Sequence, residues 1–114
     1  MGRMNHRWLF AVAMLGACAT EPDTRKATSD VVVLEIMKPT CGQVQCHSRT
    51  TQISGYILDD IHGAEVTIAA RPGDVIGAIE PGAEEPMPPD FPLDPRDRQL
   101  IIDWIDNGMP DSVP

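Results

Sequence analysis

Two cysteines in the middle of the chain, Cys41 and Cys46, constrain its fold more than any other feature. Four residues separate them, and His47 follows the second one directly. This short spacing keeps both sulfur atoms near one point, where they could form a disulfide, ligate a metal or attach a cofactor. The chain is also poor in large core residues, since only 4% of its residues are aromatic, and it contains 11 prolines. Small domains of this kind often depend on a disulfide, metal or cofactor for stability.

The first 18 residues predict an export signal. Arg3 and Arg7 are basic, and residues 8–15 form an apolar run that is shorter than the roughly 20 residues a membrane span needs. The order Leu-Gly-Ala-Cys ending at Cys18 resembles a lipobox, in which a peptidase cuts before the Cys and the thiol carries a diacylglycerol. The resemblance implies a signal peptide over residues 1–17 and lipidation of Cys18. The alternative is an ordinary secretory signal with a chance cysteine.

Lipid on Cys18 would anchor the protein to a membrane outside the cytoplasm. Ala19 follows, and by analogy with Gram-negative lipoproteins this favours the outer membrane over the inner one, with the domain in the periplasm or on the outer surface. Removing residues 1–17 takes away Arg3 and Arg7, which changes the net charge from −8 to −10. This charge excludes nucleic-acid binding, and it predicts basic partners and salt-sensitive association.

The mature chain is expected to form one small domain over residues 30–114, preceded by a flexible polar tether over residues 18–29. Ser29 and Asp30 suit a helix N-terminus, and Pro39 is expected to stop the helix that they begin.

Helical structure is harder to predict in the middle of the chain than at its end. Residues 64–70 predict one or two helical turns, whereas the glycines and prolines of residues 73–82 predict repeated breaks. Residues 86–92 are rich in proline and predict an extended segment. A last helix is predicted, with Asp94 as its N-cap and Pro95 as its first residue. Its apolar face would be formed by Leu100, Ile101, Trp104 and Ile105, and Gly108 would end it.

The Cys-x4-Cys-His sequence resembles the attachment motif of c-type cytochromes, in which two Cys thiols bond the haem vinyl groups and the adjacent His binds the iron. Two residues between the cysteines are usual, and four are less common. The wider chain resembles a small class I-like cytochrome, with a helix before the motif, a Met on a later loop and a last helix that crosses the first. The resemblance covers about residues 30–110 and is weakest over residues 55–82.

This resemblance implies an all-α cytochrome c-like domain with long Pro/Gly-rich loops and one covalent haem c. Cys41 and Cys46 would attach the haem, and His47 and Met87 would be the axial ligands of the iron. The alternatives to Met87 are Met109, His62 and Met37. Trp104 would pack against the haem or the first helix.

The expected function is single-electron transfer by a monomeric lipoprotein that docks redox partners with a basic surface. Met/His ligation raises the reduction potential and leaves no open iron site, and the sequence contains no nucleophile–base pair or phosphate loop that would predict an enzyme. One alternative is a haem-free structural or binding lipoprotein with a Cys41–Cys46 disulfide. A haem-based sensor is another, and a zinc site that also uses His62 is a third.

Overall fold

The structure is a computed structural model that describes residues 22–114, so the predicted signal peptide and Cys18 lie outside the described residues. Within this range the protein is all-α, as predicted, and contains no strand. Helix α1 comprises a π-helical stretch, Asp30–Met37, and a following α-helical turn, Lys38–Thr40. Helices α2, α3 and α4 are Ile61–Ala70, Pro72–Ile79 and Pro95–Asp106, and a short 3₁₀ turn, Ile53–Gly55, precedes α2.

Helix α1 continues past Pro39, where the sequence predicted its end. In the π-helical stretch the backbone N–H of Lys38 reaches the Val33 carbonyl, five residues earlier. Pro39 then lies at the beginning of the α-helical turn, a position where the N–H that proline lacks is not needed. The helix ends when the backbone N–H groups of Cys41 and Gly42 both donate to the Met37 carbonyl, at 2.6 and 2.8 Å.

The middle of the chain is more helical than the sequence predicted. Helix α2 begins at Ile61 because Asp60 caps it, accepting a 2.7 Å hydrogen bond from the backbone N–H of Gly63. Helix α3 occupies residues where repeated breaks were predicted, and that prediction was wrong. Its glycines face open space, while Val75 and Ile79 are buried one turn apart, so burial of one apolar face outweighs the low helix propensity of glycine.

Helix α4 matches the prediction from its first residue to its apolar face. The Asp94 side chain accepts a 2.8 Å hydrogen bond from the backbone N–H of Arg96, and Pro95 is the first helical residue. Leu100, Ile101, Trp104 and Ile105 are all buried. Gly108 follows the helix with a φ of +83°, which glycine adopts without strain.

A buried hydrogen-bonded group joins three of the helices. The Trp104 indole has no exposed surface, and its N–H donates to Ser29 Oγ at 3.2 Å. The Ser29 hydroxyl donates in turn to Glu65 on α2 at 2.8 Å. Ser29 was predicted to cap α1, but its side chain makes no capping hydrogen bond. It lies where α1, α2 and α4 meet, so the first and last helices are held together as predicted.

Residues before α1 lie against the domain, although the sequence predicted a free tether up to residue 29. Arg25 pairs with Asp97 of α4 at 2.7 Å and also with Asp23 at 2.8 Å. Ala27 packs against the core, and Ser29 is buried. The folded part of the chain therefore begins several residues earlier than predicted. Within the described residues, no helix is long and apolar enough to cross a membrane.

Candidate functional site

The four residues between the two cysteines form a turn that projects into solvent. The backbone N–H of Cys46 donates to the Gln43 carbonyl at 2.8 Å, which closes the turn. Val44, in its middle, is 72% exposed. The Val44 carbonyl accepts hydrogen bonds from the hydroxyls of Ser48 and Thr51. The four residues between the cysteines, two more than usual, are thus accommodated in an outward turn. Nearby hydroxyl groups donate hydrogen bonds to its Val44 carbonyl.

The cysteines on either side of this turn are both half-buried free thiols. Burial raises the pKa of the Cys41 thiol, and this effect exceeds the lowering by the hydrogen bond with Thr40. Cys41 is therefore held as a neutral thiol at neutral pH.

Close backbone contact fixes the residues around Cys41. A Cβ on Gly42 would lie 2.5 Å from the Leu58 carbonyl oxygen, so only glycine fits here without movement of the backbone. The backbone N–H of His47 donates to the Cys41 carbonyl at 3.1 Å, and the Leu58 N–H donates to the His47 carbonyl at 2.6 Å. The first bond joins the two sides of the turn, and the second joins His47 to the segment before α2.

The imidazole of His47 is oriented by a backbone carbonyl. Its Nδ1 lies 2.7 Å from the carbonyl oxygen of Ile53. Because a carbonyl only accepts hydrogen bonds, Nδ1 carries the proton and the lone pair of Nε2 is free to bind a metal. The Tyr56 ring packs edge-on against the imidazole, with centroids 5.9 Å apart and an interplanar angle of 81°. The tautomer and orientation of His47 are therefore both set by its neighbours.

The loop that carries the Ile53 carbonyl has an unusual backbone. Gln52 and Ser54, on either side of Ile53, have positive φ angles of 47° and 57°. Arg71 braces this loop, donating from its guanidinium to the Ser54 carbonyl at 2.7 Å and lying 5.0 Å from the centroid of the Tyr56 ring. Positive φ is unfavourable for residues other than glycine, so these contacts hold the loop in a conformation that it would not adopt alone.

Met87 reaches the same region from the proline-rich segment after α3. Its backbone N–H donates to the Ala78 carbonyl at 2.9 Å, which ties the segment to the end of α3. The Met87 side chain is half-buried, and the following Pro88 is buried. With a proline on each side, Met87 has a restricted backbone.

Three adjoining cavities surround Met87. One of about 170 Å³ is lined by Cys41, His47 and Met87 together with apolar side chains. A second of about 110 Å³ is lined by the same three residues and by Cys46. A third of about 380 Å³ extends from Met87 along the proline-rich segment. Among the described residues, Met87 is the one that lines all three.

The structure thus brings together the four residues predicted to bind the cofactor, Cys41, Cys46, His47 and Met87. No protein-family model, curated protein or solved structure matches this chain. The function must therefore be argued from the geometry of these residues.

The other candidate ligands differ in position. Met37 is 1% exposed and lines the cavity of about 170 Å³ from within the core. Met109 packs against the core after α4, where its backbone N–H donates to the Trp104 carbonyl at 2.7 Å. His62 is exposed on α2. Among residues 22–114, no three His, Cys, Asp or Glu side chains form a group that could hold a metal ion by themselves.

Sequence reasoning missed the residues that support His47. Tyr56 and Arg71 lie within residues 55–82, where the resemblance to known proteins is weakest, and Ile53 lies just before them. Tyr56 carried a signal, because the mature chain has very few aromatic residues and this one follows the predicted motif by nine positions. A backbone carbonyl carries no signal of this kind, since every residue has one.

Proposed function

We propose that the protein is a lipid-anchored mono-haem c-type cytochrome that transfers single electrons in the cell envelope. The observation that carries this proposal is that Cys41, His47 and Met87 line the same cavities, although Met87 lies 40 positions after His47 in the sequence. A thiol pair, an imidazole and a thioether are the groups that attach and ligate a haem c.

The donor atoms fit this cofactor chemically. Cys41 and Cys46 are free thiols that would hold the haem through thioethers. His47 offers Nε2 because Nδ1 donates to the Ile53 carbonyl, which is the arrangement that metal-binding histidines commonly have. Met87 would supply the second axial ligand through Sδ. The bound haem would provide an iron that accepts and releases one electron at a time.

The remaining residues of the site would orient the ligands and exclude water. The Ile53 carbonyl fixes the proton on Nδ1 of His47, so that Nε2 stays available. Leu58, Val75, Ile79 and Ile101 form apolar walls of the larger of the two cysteine-lined cavities. A Met/His-ligated iron would have no open position for oxygen, and the protein is accordingly proposed to be an electron carrier and not an enzyme.

The proposed location follows from the N-terminal sequence alone. Cys18 would carry lipid after removal of residues 1–17, and the outer membrane is favoured because Ala19 follows it. Between Cys18 and the first residues that lie against the domain, only a few residues remain. The domain is therefore proposed to work close to its membrane.

The test is a pyridine haemochrome spectrum of protein produced with a cytochrome c maturation system, recorded before and after acid–acetone extraction. A c-type α-band that stays with the protein is expected. The double variant Cys41→Ala/Cys46→Ala should lose its haem on extraction, while each single variant should retain one thioether. A colourless protein, in cells that load a control cytochrome c, would contradict the proposal and leave the cysteines as a disulfide or metal pair.

The second axial ligand requires a separate test. Met87→Ala should lower the reduction potential and allow the reduced protein to bind carbon monoxide, because an iron position would be opened. Met109→Ala and His62→Ala are the matched controls and should change neither property. An unchanged spectrum in Met87→Ala would remove Met87 from the iron, and carbon monoxide binding by the unaltered protein would favour a haem-based sensor.

A further inference from the structure

One cavity of the described residues is a groove along the proline-rich segment, and it opens next to Met87. Its volume is about 380 Å³, and its apolar walls include Ile79, Pro88, Phe91 and Leu93. Phe91 is 54% exposed, an uncommon degree for one of the few aromatic side chains of this domain. An apolar groove with an exposed aromatic residue is typical of a surface that contacts another molecule.

The charged rim of this groove consists of two exposed acids, Glu80 and Asp90, together with Arg98. Between Arg71 and Arg96 the sequence has six acids and no Lys or Arg. Four of these acids are exposed and form no ion pair with any described residue: Glu80, Glu84, Glu85 and Asp90. The other four arginines of the described residues each pair with a carboxylate, whereas Arg98, which lines the groove, does not.

We propose that this groove docks a redox partner through a partner segment in which Lys or Arg residues surround an apolar side chain. The inference rests on the proposed function, since the groove matters for electron transfer only if Met87, in its wall, ligates a haem iron. The apolar side chain would lie against Phe91 and the prolines, and the basic residues would face Glu80 and Asp90.

The charge of the rim selects this partner over two others. A second copy of the chain would present the same acids, and like charges repel. A membrane surface with anionic lipids would be repelled for the same reason. A basic protein surface is attracted, and attraction between opposite charges also orients the partner before contact.

The experiment measures binding of a peptide with four lysines flanking one leucine to the full chain, by ¹⁵N–¹H NMR titration. We expect shifts confined to residues 79–93, and weaker binding as the ionic strength rises to about 0.15 M, where the Debye length is about 8 Å. Two control peptides are matched in length. Replacing the lysines with glutamates should abolish binding, and replacing the leucine with glycine should weaken it.

Two sets of variants locate the contacts. Glu80→Gln/Asp90→Asn, which changes the two acids that line the groove, should weaken binding about two- to tenfold, the range for loss of two exposed charge pairs. Asp106→Asn/Asp111→Asn removes the same charge beyond the other end of α4 and should change affinity less than about twofold. Phe91→Ala should remove the difference between the leucine and glycine peptides.

The outcomes separate this proposal from the proposed function. Equal losses in the two charge variants, or shifts spread over the whole domain, would overturn the docking surface, and haem-loaded protein would still be a cytochrome. Peptide binding at the groove by a colourless protein would keep the docking surface and overturn electron transfer.

Discussion

Trp104 and His47 both place a ring N–H donor inside the folded domain, yet their partners are of different kinds. The indole of Trp104 donates to a side-chain hydroxyl, Ser29 Oγ, at the junction of three helices. The imidazole of His47 donates to a backbone carbonyl, that of Ile53, in a loop with positive φ angles. Trp104 has no exposed surface, whereas His47 is half-buried between two cavities.

This difference distinguishes two sides of the molecule. The packed side, around Trp104, is held by contacts between helices, and the loop side, around His47, is held by hydrogen bonds between loops. On the first side, apolar faces of α1 and α4 contact each other in the core. On the second side, loops from residues 41–56 and 86–89 approach each other and leave a cavity lined by the side chains of Cys41, Cys46, His47 and Met87. Helix packing can hold a domain together, but a cofactor site requires space that the helices do not fill.

Trp104→Ala should have the largest effect on stability, because it removes the central side chain of the packed side. We expect a loss of about 3–5 kcal/mol in the free energy of unfolding, measured by urea denaturation. Val66→Ala is the control, since Val66 is 56% exposed on α2 and should change stability by about 0.5 kcal/mol or less. A loss below about 1 kcal/mol for Trp104→Ala would mean that the packed side does not dominate stability.

Gly42→Ala tests the loop side in the same way. The new Cβ would lie 2.5 Å from the Leu58 carbonyl oxygen, so the backbone beside Cys41 must move. We expect a loss of about 1–3 kcal/mol and less haem retained per protein. Gly77→Ala is the matched control, because no atom lies within 4 Å of its added Cβ and alanine favours α3 by about 1 kcal/mol. Equal stabilities of the two variants would show that the contact with Leu58 does not constrain the loop.

The packed side was largely predictable from the sequence. In α4, the N-cap Asp94, the proline at the first position and four apolar residues at helical spacing all favour the same helix, and the structure has it. In α3, local signals disagreed. Pro72 suits a helix start and Val75 and Ile79 are one turn apart, but two glycines favoured breaks, and only tertiary burial decides between these signals.

The loop side was predictable only as a set of chemical groups. The Cys-x4-Cys-His pattern points to Cys41, Cys46 and His47, and the resemblance to class I-like cytochromes favours Met87, which precedes the last helix, over Met109, which follows it. That Ile53 offers its carbonyl to His47 depends on positive φ angles at Gln52 and Ser54, two residues whose types do not predict them. The loop conformation depends on contacts with Arg71, which is remote in sequence.

Asp60→Ala should have a moderate effect that depends on pH. The Gly63 N–H, and secondarily Arg49, hold the pKa of Asp60 below its ordinary value. A lowered folded-state pKa stabilises the fold above the unfolded-state pKa of about 3.9, and this stabilisation is lost as pH falls through the folded-state pKa. We expect a loss of about 1 kcal/mol at pH 6 that shrinks below about pH 4. Asp60→Asn, which retains a capping oxygen, is the control; a pH-independent loss in Asp60→Ala would contradict the role of the charge.

Arg71→Gln should have the smallest effect on stability and the most specific effect on His47. Loss of an exposed contact between a guanidinium and an aromatic ring costs about 0.5–1 kcal/mol. The brace on the Ser54 carbonyl is also lost, so the Ile53 carbonyl should hold Nδ1 of His47 less firmly. We expect faster solvent exchange of the Nδ1 proton, which NMR can follow in protein without haem.

Arg49→Gln is the control for this last variant, because Arg49 is similarly exposed and pairs with Asp60 at 2.6 Å but contacts neither Tyr56 nor Ser54. Its stability should change by a similar small amount, while exchange of the His47 proton should not change. Faster exchange in both variants would mean that general loosening of the loops is responsible. Faster exchange in Arg71→Gln alone would show that the orientation of the His47 ring depends on the side chain of Arg71, 24 positions later in the sequence. The loop side would then depend on single long-range contacts, unlike the helix packing around Trp104.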